Sequence, residues 1–400
     1  MEDDKSDDEI FGKEPLNPSE NKKLSSPKKV IIIVSIFLAI IFIILGVILY
    51  FVFFTHEDDF NYIIAKYYIK KKDISQIFDK SYLDSIEKIT LEGKEIKTNN
   101  NITFNKEGNI KVEIYFKKNI QTLDNLFYQI DKLDEVDLSN LIGDDIISAS
   151  NMFNGCKLLK KVTFGNFSPK NLKNISNMFS GCEQLEGVDI DVFKYDNLKD
   201  ISGLFYNCKG FEKFDFGELN TKNIVNMSKL FSGCSSLIEF NLDKVKNLIT
   251  NNLEDASYMF QNCKKLENLN LTKFNTSKVK YMNNMFDSCE NLKQIDIKSF
   301  DTINVENMDY MFKGCSNLTS LNLSNFETNN LKSAISFFDD CVNLTYIDLR
   351  KFSSQHILNS TNFFKSLSIN VTLIYNPNIF KISIPDNWTT INISEMVEFF

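Results

Sequence analysis

The stretch Tyr281–Ile297, YMNNMFDSCENLKQIDI, decides the fold because it occurs again further along the chain. Its near-copy, YMFKGCSNLTSLNL, begins at Tyr310, and Cys289 of the first copy corresponds to Cys315 of the second. The separation of these cysteines falls within the period of roughly 20 to 50 residues that is typical of solenoids and other repeat architectures. The stretch therefore predicts a chain built from stacked copies of one small unit.

Every cysteine in the chain lies at the same position of this repeat. The eight are Cys156, Cys182, Cys208, Cys234, Cys263, Cys289, Cys315 and Cys341. Their spacing is constant, except that the interval between the fourth and the fifth is longer by a three-residue insertion. Ile130 and Leu367 occupy the equivalent position in an earlier and a later copy, which indicates that the position needs apolar volume. We therefore predict nine strand-bearing coils, which start at residues 130, 156, 182, 208, 234, 263, 289, 315 and 341.

The apolar pattern within one repeat predicts two elements. After each cysteine, apolar residues at offsets 3, 6, 8 and 11 include the alternation of a short strand, and those at offsets 16, 19, 22 and 23 have the three-to-four spacing of a helical stretch. The residue before each cysteine is often Gly or Asn, which tolerate a left-handed backbone and end helices. The predicted fold class is α/β: a leucine-rich-repeat solenoid with a parallel sheet on one face, short helical segments on the other, and one N-terminal transmembrane helix.

The membrane prediction rests on Val30–Phe54, an apolar run without a charge. As a helix it would reach roughly 37 Å, enough to cross a hydrocarbon layer of roughly 30 Å. Lysines precede the run and acidic residues follow it, so we expect the N-terminus in the cytoplasm. This predicts a single-pass plasma-membrane protein that contacts the lipid bilayer through residues 30–54 and has an extracellular repeat domain. A cleavable signal peptide is the alternative.

The same analysis divides the chain into six segments. They are a disordered cytoplasmic tail (residues 1–29), the transmembrane helix (30–54), a helical stalk (55–86), a strand-rich N-terminal cap (87–122), the leucine-rich-repeat array (123–375) and a C-terminal cap or tail (376–400).

The repeat resembles that of the BspA-like leucine-rich-repeat surface proteins, which reads N-V-x-x-M-x-x-M-F-x-x-C-x-x-L-x-x-L-x-L-x-x-F. The matching residues of one copy are Asn304, Val305, Met308, Met311, Phe312, Cys315, Leu318, Leu321, Leu323 and Phe326. The resemblance covers about residues 123–375. It implies a microbial cell-surface protein that adheres to other cells or to matrix proteins.

The cysteines and histidines give no sign of catalysis or metal binding. Equivalent side chains on successive coils are about 5 Å apart, further than the roughly 3.5–4.5 Å between the Cβ atoms of a disulfide, so we expect buried free thiols. The two histidines, His56 and His356, have no recognisable nucleophile or zinc-ligand context. We expect no enzyme activity and no cofactor. The net charge of −8 argues against a nucleic-acid partner.

One surface pattern stands out, at the outward position between the two apolar residues of each strand. Apart from Thr163 it carries only Asp and Asn, and with the neighbouring Asp191 these residues are the predicted binding site: Asp137, Asp189, Asp191, Asp215, Asn241, Asn270, Asp296, Asn322 and Asp348. We expect the site to bind a basic protein surface or calcium, with Asp189, Asp191 and Asp215 as its most acidic part. A hydrogen-bonded ladder that merely accompanies the repeat is the alternative.

Function is therefore predicted at the level of macromolecular recognition. The first hypothesis is protein binding or adhesion at the cell surface through the repeat face. The alternative is a surface receptor or structural coat protein whose cytoplasmic tail signals or anchors. The insertion, which lies within Lys244–Asp255, forms either a binding loop or a tolerated bulge.

Overall fold

The computed structural model describes residues 39–45, 61–117, 120–215, 217, 219–240 and 248–393. The chain forms two compact units, Met1–Asp59 and Phe60–Phe400. In the first unit the described residues, 39–45, are helical and exposed. The predicted tail (1–29) lies outside the described residues, as do residues 30–38 and 46–60.

The predicted single-pass membrane location needs correction. No helix in the described part of the chain has both the length and the apolar character needed to cross a bilayer.

The N-terminal cap of the second unit is made of strands. Its elements are β1 (Tyr62–Ile69), β2 (Asp73–Gln76), a 3₁₀ helix (Lys80–Ser85), β3 (Ile86–Leu91), β4 (Lys94–Ile96), β5 (Asn101–Phe104) and β6 (Gly108–Phe116). The predicted helical stalk at 55–86 is therefore wrong within its described part. In β1 the buried residues, Ile63, Ala65, Tyr67 and Ile69, alternate with more exposed ones, because successive strand residues point to opposite faces.

The repeat array forms short parallel strands, one in each coil except the coil at Cys182. They are β7 (Leu133–Asp137), β8 (Lys161–Thr163), β9 (Lys213–Phe214), β10 (Glu239–Phe240), β11 (Asn268–Asn270), β12 (Gln294–Asp296), β13 (Ser320–Asn322) and β14 (Tyr346–Leu349), followed by β15 (Thr372–Tyr375) and β16 (Thr389–Asn392). The coil at Cys182 has a 3₁₀ helix, Asp191–Phe193, after its strand position. The strands form three sheets with the orders β4-β3-β6-β1-β7-β8, β12-β11-β10-β9 and β13-β14-β15-β16, while β2 pairs with β5. Strand β1 pairs with β7, so the cap continues into the solenoid.

The second side of each coil is not helical, which corrects the predicted fold class. The structure is a β-solenoid in which tight turns stack through an unbroken run of parallel bridges, from Thr122↔Ser148 to Ser333↔Asn359. We refer to this column as the turn ladder. The short helices of the second unit's described residues are the two 3₁₀ helices given above, and neither lies in it.

Backbone hydrogen bonds explain why the turn ladder replaces a helix. The Phe153 N–H donates to the Met178 carbonyl of the next coil at 2.9 Å, whereas the Asn154 N–H donates to the Asn151 carbonyl at 3.1 Å, only three residues back. Asn151 (φ 53°) and Gly155 (φ 81°) are left-handed, and two such residues in five interrupt an α-helix. The resulting turns still direct apolar side chains inward at spacings of three and four.

Backbone angles at the residue before each cysteine agree with the sequence prediction. All eight of these residues have positive φ, from 57° at Asn207 to 81° at Gly155. The backbone turns there, and the cysteine that follows is buried.

Columns of identical side chains fill the core between the sheets and the turn ladder. Phe260, Phe286 and Phe312 stack with ring centroids 6.1 and 5.4 Å apart. Buried threonines form a second column, in which the Thr276 hydroxyl donates to the Asp301 carbonyl and accepts the Asp301 N–H, each at 2.8 Å. Each threonine therefore replaces a backbone hydrogen bond between coils.

Replacing Thr276 by Val is expected to lower the free energy of unfolding by about 2 kcal/mol, because the Asp301 N–H and carbonyl both lose a buried partner. Thr276→Ser keeps the hydroxyl and should cost less than half as much. Urea unfolding followed by circular dichroism measures both. Equal losses in the two variants would contradict the role of the hydroxyl.

Candidate functional site

Seven of the nine predicted binding residues cap the turn that follows the strand position of their coil. Their side-chain Oδ1 atoms accept the backbone N–H two residues later: Ser139 for Asp137, Asp191 for Asp189, Gly217 for Asp215, Thr272 for Asn270, Lys298 for Asp296, Ser324 for Asn322 and Arg350 for Asp348, at 2.9–3.2 Å. Asp and Asn favour such turns because their short side chains reach their own backbone. The pattern therefore has a structural cause within each coil.

The cap also fixes which atom is left for a partner. Because Oδ1 is held by the backbone, Asn270 and Asn322 retain their Nδ2 donors. The second carboxylate oxygen of Asp296 also lies outside the cap, 3.6 Å from the Lys298 ammonium in an exposed ion pair. An Asp→Asn exchange at such a position keeps the cap and changes only the charge and the outer atom.

The structure brings together only part of the predicted site. Asn270, Asp296 and Asn322 line one groove of about 540 Å³ on the sheet face. Asp189, Asp191 and Asp215 are exposed in other coils, outside this groove. Asp137 is half-buried in the first coil, and Asn241 lies outside the described residues together with the first part of the inserted loop.

Asp348 corrects the prediction of a fully exposed row. It is 1% exposed, and its carboxylate accepts hydrogen bonds from the Arg350 Nε at 3.0 and 3.1 Å and from the Arg350 Nη2 at 2.5 Å. This paired arrangement occupies both carboxylate oxygens. Asp348 therefore stabilises the end of β14 and is not available to a partner.

The groove lies where the sheet face is divided. Strands β12 and β13 belong to consecutive coils, yet each is the edge strand of a different sheet. Gln294, Ile295 and Asp296 of β12 face Ser320 and Asn322 of β13 across the groove. Unpaired strand edges leave backbone N–H and C=O groups open to a ligand.

Ile295 is the unusual residue of this groove. It holds the central apolar position of its strand, and its counterparts Leu269 and Leu321 are 2% exposed, whereas Ile295 is only partly buried. Its exposure follows from the division of the sheet, because the neighbouring coil does not close over it. Val188, in the coil without a strand, is partly buried in the same way.

Charges and amides surround this apolar residue. Lys298 lies 3.6 Å from the Asp296 carboxylate, and Lys293 pairs with Glu267 at 2.9 Å. These pairs are exposed, so each contributes little to stability. An apolar centre with a polar rim has the general composition of a protein interface.

The cysteines lie in the core, away from the groove. All eight are free and buried, and each thiol donates to a backbone carbonyl of the preceding coil, as Cys289 does to Phe260 at 3.1 Å. Burial raises the pKa of the Cys341 thiol to about 12, and it raises the pKa of Cys182 and of Cys208 as well. Such thiols are poor nucleophiles and metal ligands.

Sequence reasoning missed the groove itself. The groove is completed by Gln294, Ile295 and Ser320. Nothing in the sequence marks these residues as a binding site, since Ile295 fits the core pattern and the other two are ordinary strand-face residues. In the described part of the chain, no group of three or more His, Cys, Asp or Glu side chains is placed to hold a metal ion.

Comparison with known proteins gives a family. The family described as "Mycoplasma protein of unknown function, DUF285" matches four overlapping ranges, residues 96–213, 121–244, 174–294 and 254–376. No curated protein matches the chain at a significant level. The four ranges follow the tandem coils and together cover more than half of the sequence. The chain therefore belongs to the DUF285 family of repeat proteins.

Proposed function

We propose that this protein is a non-catalytic recognition protein whose sheet face binds another protein in adhesion to cells or matrix. The observation that carries the proposal is the partly exposed Ile295 in the groove between β12 and β13. Elsewhere in the described array this core position is covered, apart from Val188 in the coil without a strand. A partner that covers Ile295 would gain apolar burial that the fold itself leaves unused.

The surroundings favour a protein partner. Asn270, Asn322 and Gln294 offer amide groups, and the open edges of β12 and β13 offer backbone groups, which together suit the mixed polar and apolar surface of a polypeptide. The net charge of −8 favours a partner with a basic surface. The likeness of the repeat to the BspA-like leucine-rich-repeat proteins supports the same role, and we propose that relationship for this chain.

The test is binding of the purified full-length chain to a panel of extracellular-matrix proteins, measured by biolayer interferometry with calcium and with a chelator. Ile295→Asp is expected to weaken saturable binding about tenfold, on the order of 1.4 kcal/mol, because it places an unpaired charge at the apolar centre. Loss of binding in the chelator would support calcium as a further ligand.

Two matched variants separate recognition from folding. Ile238 is 43% exposed and lies outside the groove, so Ile238→Asp should bind like the unmodified chain. Asp296→Asn keeps the turn cap and should leave stability unchanged, while it weakens binding of a basic partner. Equal binding by the Ile295 and Ile238 variants would refute recognition at the groove.

A further inference from the structure

The turns of the turn ladder are capped by side chains. In nine of the ten turns a side-chain oxygen accepts the N–H two residues after the bridge residue, at 2.7–3.1 Å. The residues whose N–H groups are capped in this way are Asp124, Ser150, Ser176, Ser202, Ser228, Ser257, Asp309, Ile335 and Thr361. An Asp or Asn bridge residue supplies the oxygen from its own side chain, as Asn174 does for Ser176.

The fold keeps this cap even where the bridge residue is a serine. In the turn of Ser333, the Asp309 carboxylate of the preceding coil accepts the Ser333 hydroxyl at 2.6 Å and the Ile335 N–H at 2.7 Å. Asp124 acts in the same way on the turn of Ser148. A turn without a cap of its own therefore receives one from its neighbour, because half-buried backbone groups need partners.

Tyr281 is the exception among the bridge residues. The hydroxyl of a tyrosine lies at the far end of a rigid ring, so it cannot turn back to its own backbone. The Asn283 N–H accordingly has no hydrogen-bond partner among the described residues. Tyr281 is 44% exposed, and Asn283 is half-buried. This turn thus combines an open backbone donor with an exposed aromatic ring.

Polar groups of the two adjacent coils surround Tyr281. It pairs in the turn ladder with Asp255 on one side and with Asn307 on the other. Each of these two residues caps its turn through Oδ1, so the second carboxylate oxygen of Asp255 and the Nδ2 of Asn307 have no partner among the described residues. Asp309, two residues after Asn307, adds a second carboxylate. We refer to Asp255, Tyr281, Asn283, Asn307 and Asp309 as the Tyr281 site.

Two further tyrosines, Tyr258 and Tyr310, lie in the turns on either side of this site. Both have positive φ, 61° and 59°, at a position of the turn that is Asn or Gly in most of the other coils. A bulky side chain is unfavourable in this left-handed region. Lys229 and Lys313 lie over the two rings, with Nζ 5.4 and 5.5 Å from the ring centroids, which holds the rings in place. Residues that break a local rule of the fold are expected at functional sites.

The chemistry of the Tyr281 site fits a ligand that is rich in hydroxyl groups. A hydroxyl both accepts and donates, so it can accept from the Asn283 N–H and the Asn307 Nδ2 and donate to the Asp255 carboxylate. A tyrosine ring provides apolar surface for the C–H face of a sugar. The two carboxylates of the site disfavour an anionic ligand. A polypeptide is commonly bound at an open strand edge, whereas the turn ladder continues through this site without one.

We propose that the Tyr281 site binds neutral oligosaccharides. The sugar packs on the Tyr281 ring, and its hydroxyl groups occupy the open Asn283 N–H and the outer atoms of Asp255 and Asn307. The site lies on the turn ladder, whereas the groove of Ile295 lies on the sheet face. The inference is therefore independent of the proposed binding of a protein.

The experiment applies the purified full-length chain to an array of neutral oligosaccharides of glucose, galactose, mannose and N-acetylglucosamine, with sialylated and sulfated glycans for comparison. Calorimetric titration with the neutral glycan that binds best gives the affinity. Tyr281→Asn should weaken it about tenfold or more, because the ring is lost and the new side chain caps the Asn283 N–H, as Asn174 and Asn226 cap their turns. Tyr281→Phe keeps the ring and the open donor and should stay within about threefold of the unmodified chain.

Three controls separate this site from folding and from the groove. Tyr281→Asn restores a cap, so its thermal unfolding midpoint should not fall below that of the unmodified chain. Tyr206→Asn changes a tyrosine that is 36% exposed in another coil, and it should bind glycans normally. Ile295→Asp should also bind glycans normally, whatever its effect on a protein partner.

Three results would overturn the proposal. The first is that the unmodified chain binds no neutral glycan, or binds acidic glycans alone. The second is equal glycan binding by the unmodified chain and by Tyr281→Asn. The third is binding to a matrix glycoprotein that survives enzymatic removal of its glycans and is lost in Tyr281→Asn, because the ligand of this site would then be a polypeptide.

Discussion

Replacing Phe286 by Ala is expected to lower the free energy of unfolding by about 4 kcal/mol, the largest effect of any single substitution proposed for this protein. Phe286 is fully buried and stacks between Phe260 and Phe312 in the phenylalanine column. Truncation removes the ring and leaves a cavity shared by three coils. Because each coil contacts only its neighbours, the cavity should also weaken coupling between the two halves of the array.

The comparison variant is Phe286→Leu, which keeps most of the apolar volume and should cost about 1.5 kcal/mol or less. Urea unfolding monitored by circular dichroism gives the free energies, and a broader transition for Phe286→Ala would report the loss of coupling. A cost below 1 kcal/mol for Phe286→Ala, on the order of an exposed site, would show that the column does not support the fold.

Alkaline pH is expected to destabilise this protein strongly through its buried thiols. An exposed thiol in the unfolded chain ionises near pH 8.5, whereas burial keeps the thiols of the folded chain protonated, with the pKa of Cys341 raised to about 12. Above pH 8.5 the unfolded state binds fewer protons than the folded state, so stability falls as pH rises. The stability that the buried thiols contribute is fully present below pH 8.5 and is lost progressively as the pH rises towards the pKa of the thiols in the folded chain.

The magnitude for one thiol is about 2 kcal/mol at pH 10, from roughly 1.4 kcal/mol per pH unit over about 1.5 units. Unfolding by urea at pH 7 and at pH 10 measures the loss for the unmodified chain and for Cys289→Val, which lacks one thiol. The loss between the two pH values should be smaller in the variant by the contribution of that thiol. Identical losses in both proteins would mean that the Cys289 thiol ionises as readily in the folded state.

Much of the fold was predictable from the spacing of apolar residues. The cysteine period located the coils, and the Gly or Asn before many of the cysteines indicated a left-handed backbone, which all eight preceding residues adopt. The turn ladder was mistaken for helix because both structures place apolar residues three and four apart. Each turn also has an earlier left-handed residue, such as Asn151 or Lys229. In the sequence this residue could have distinguished a tight turn from a helix only where it is Asn or Gly.

The candidate site was predictable in part, for a different physical reason. Alternation along a strand showed that Asp296 and Asn322 face outward, but the division of the sheet between β12 and β13 depends on how two whole coils pack. The exposure of Ile295 and the burial of Asp348 against Arg350 are consequences of such packing. A repeat that is uniform in sequence therefore gains its distinct sites from local departures in stacking.

Far-ultraviolet circular dichroism of the purified chain tests the central structural claim most directly. The claim is that hydrogen bonds between coils, in the short parallel strands and in the turn ladder, hold the solenoid together without helices. A spectrum dominated by β-structure and turns, with little α-helical signal, is the predicted result. A strong α-helical signal from a chain shortened to residues 60–400, the second compact unit, would contradict the turn ladder and restore the leucine-rich-repeat architecture with helices on one face.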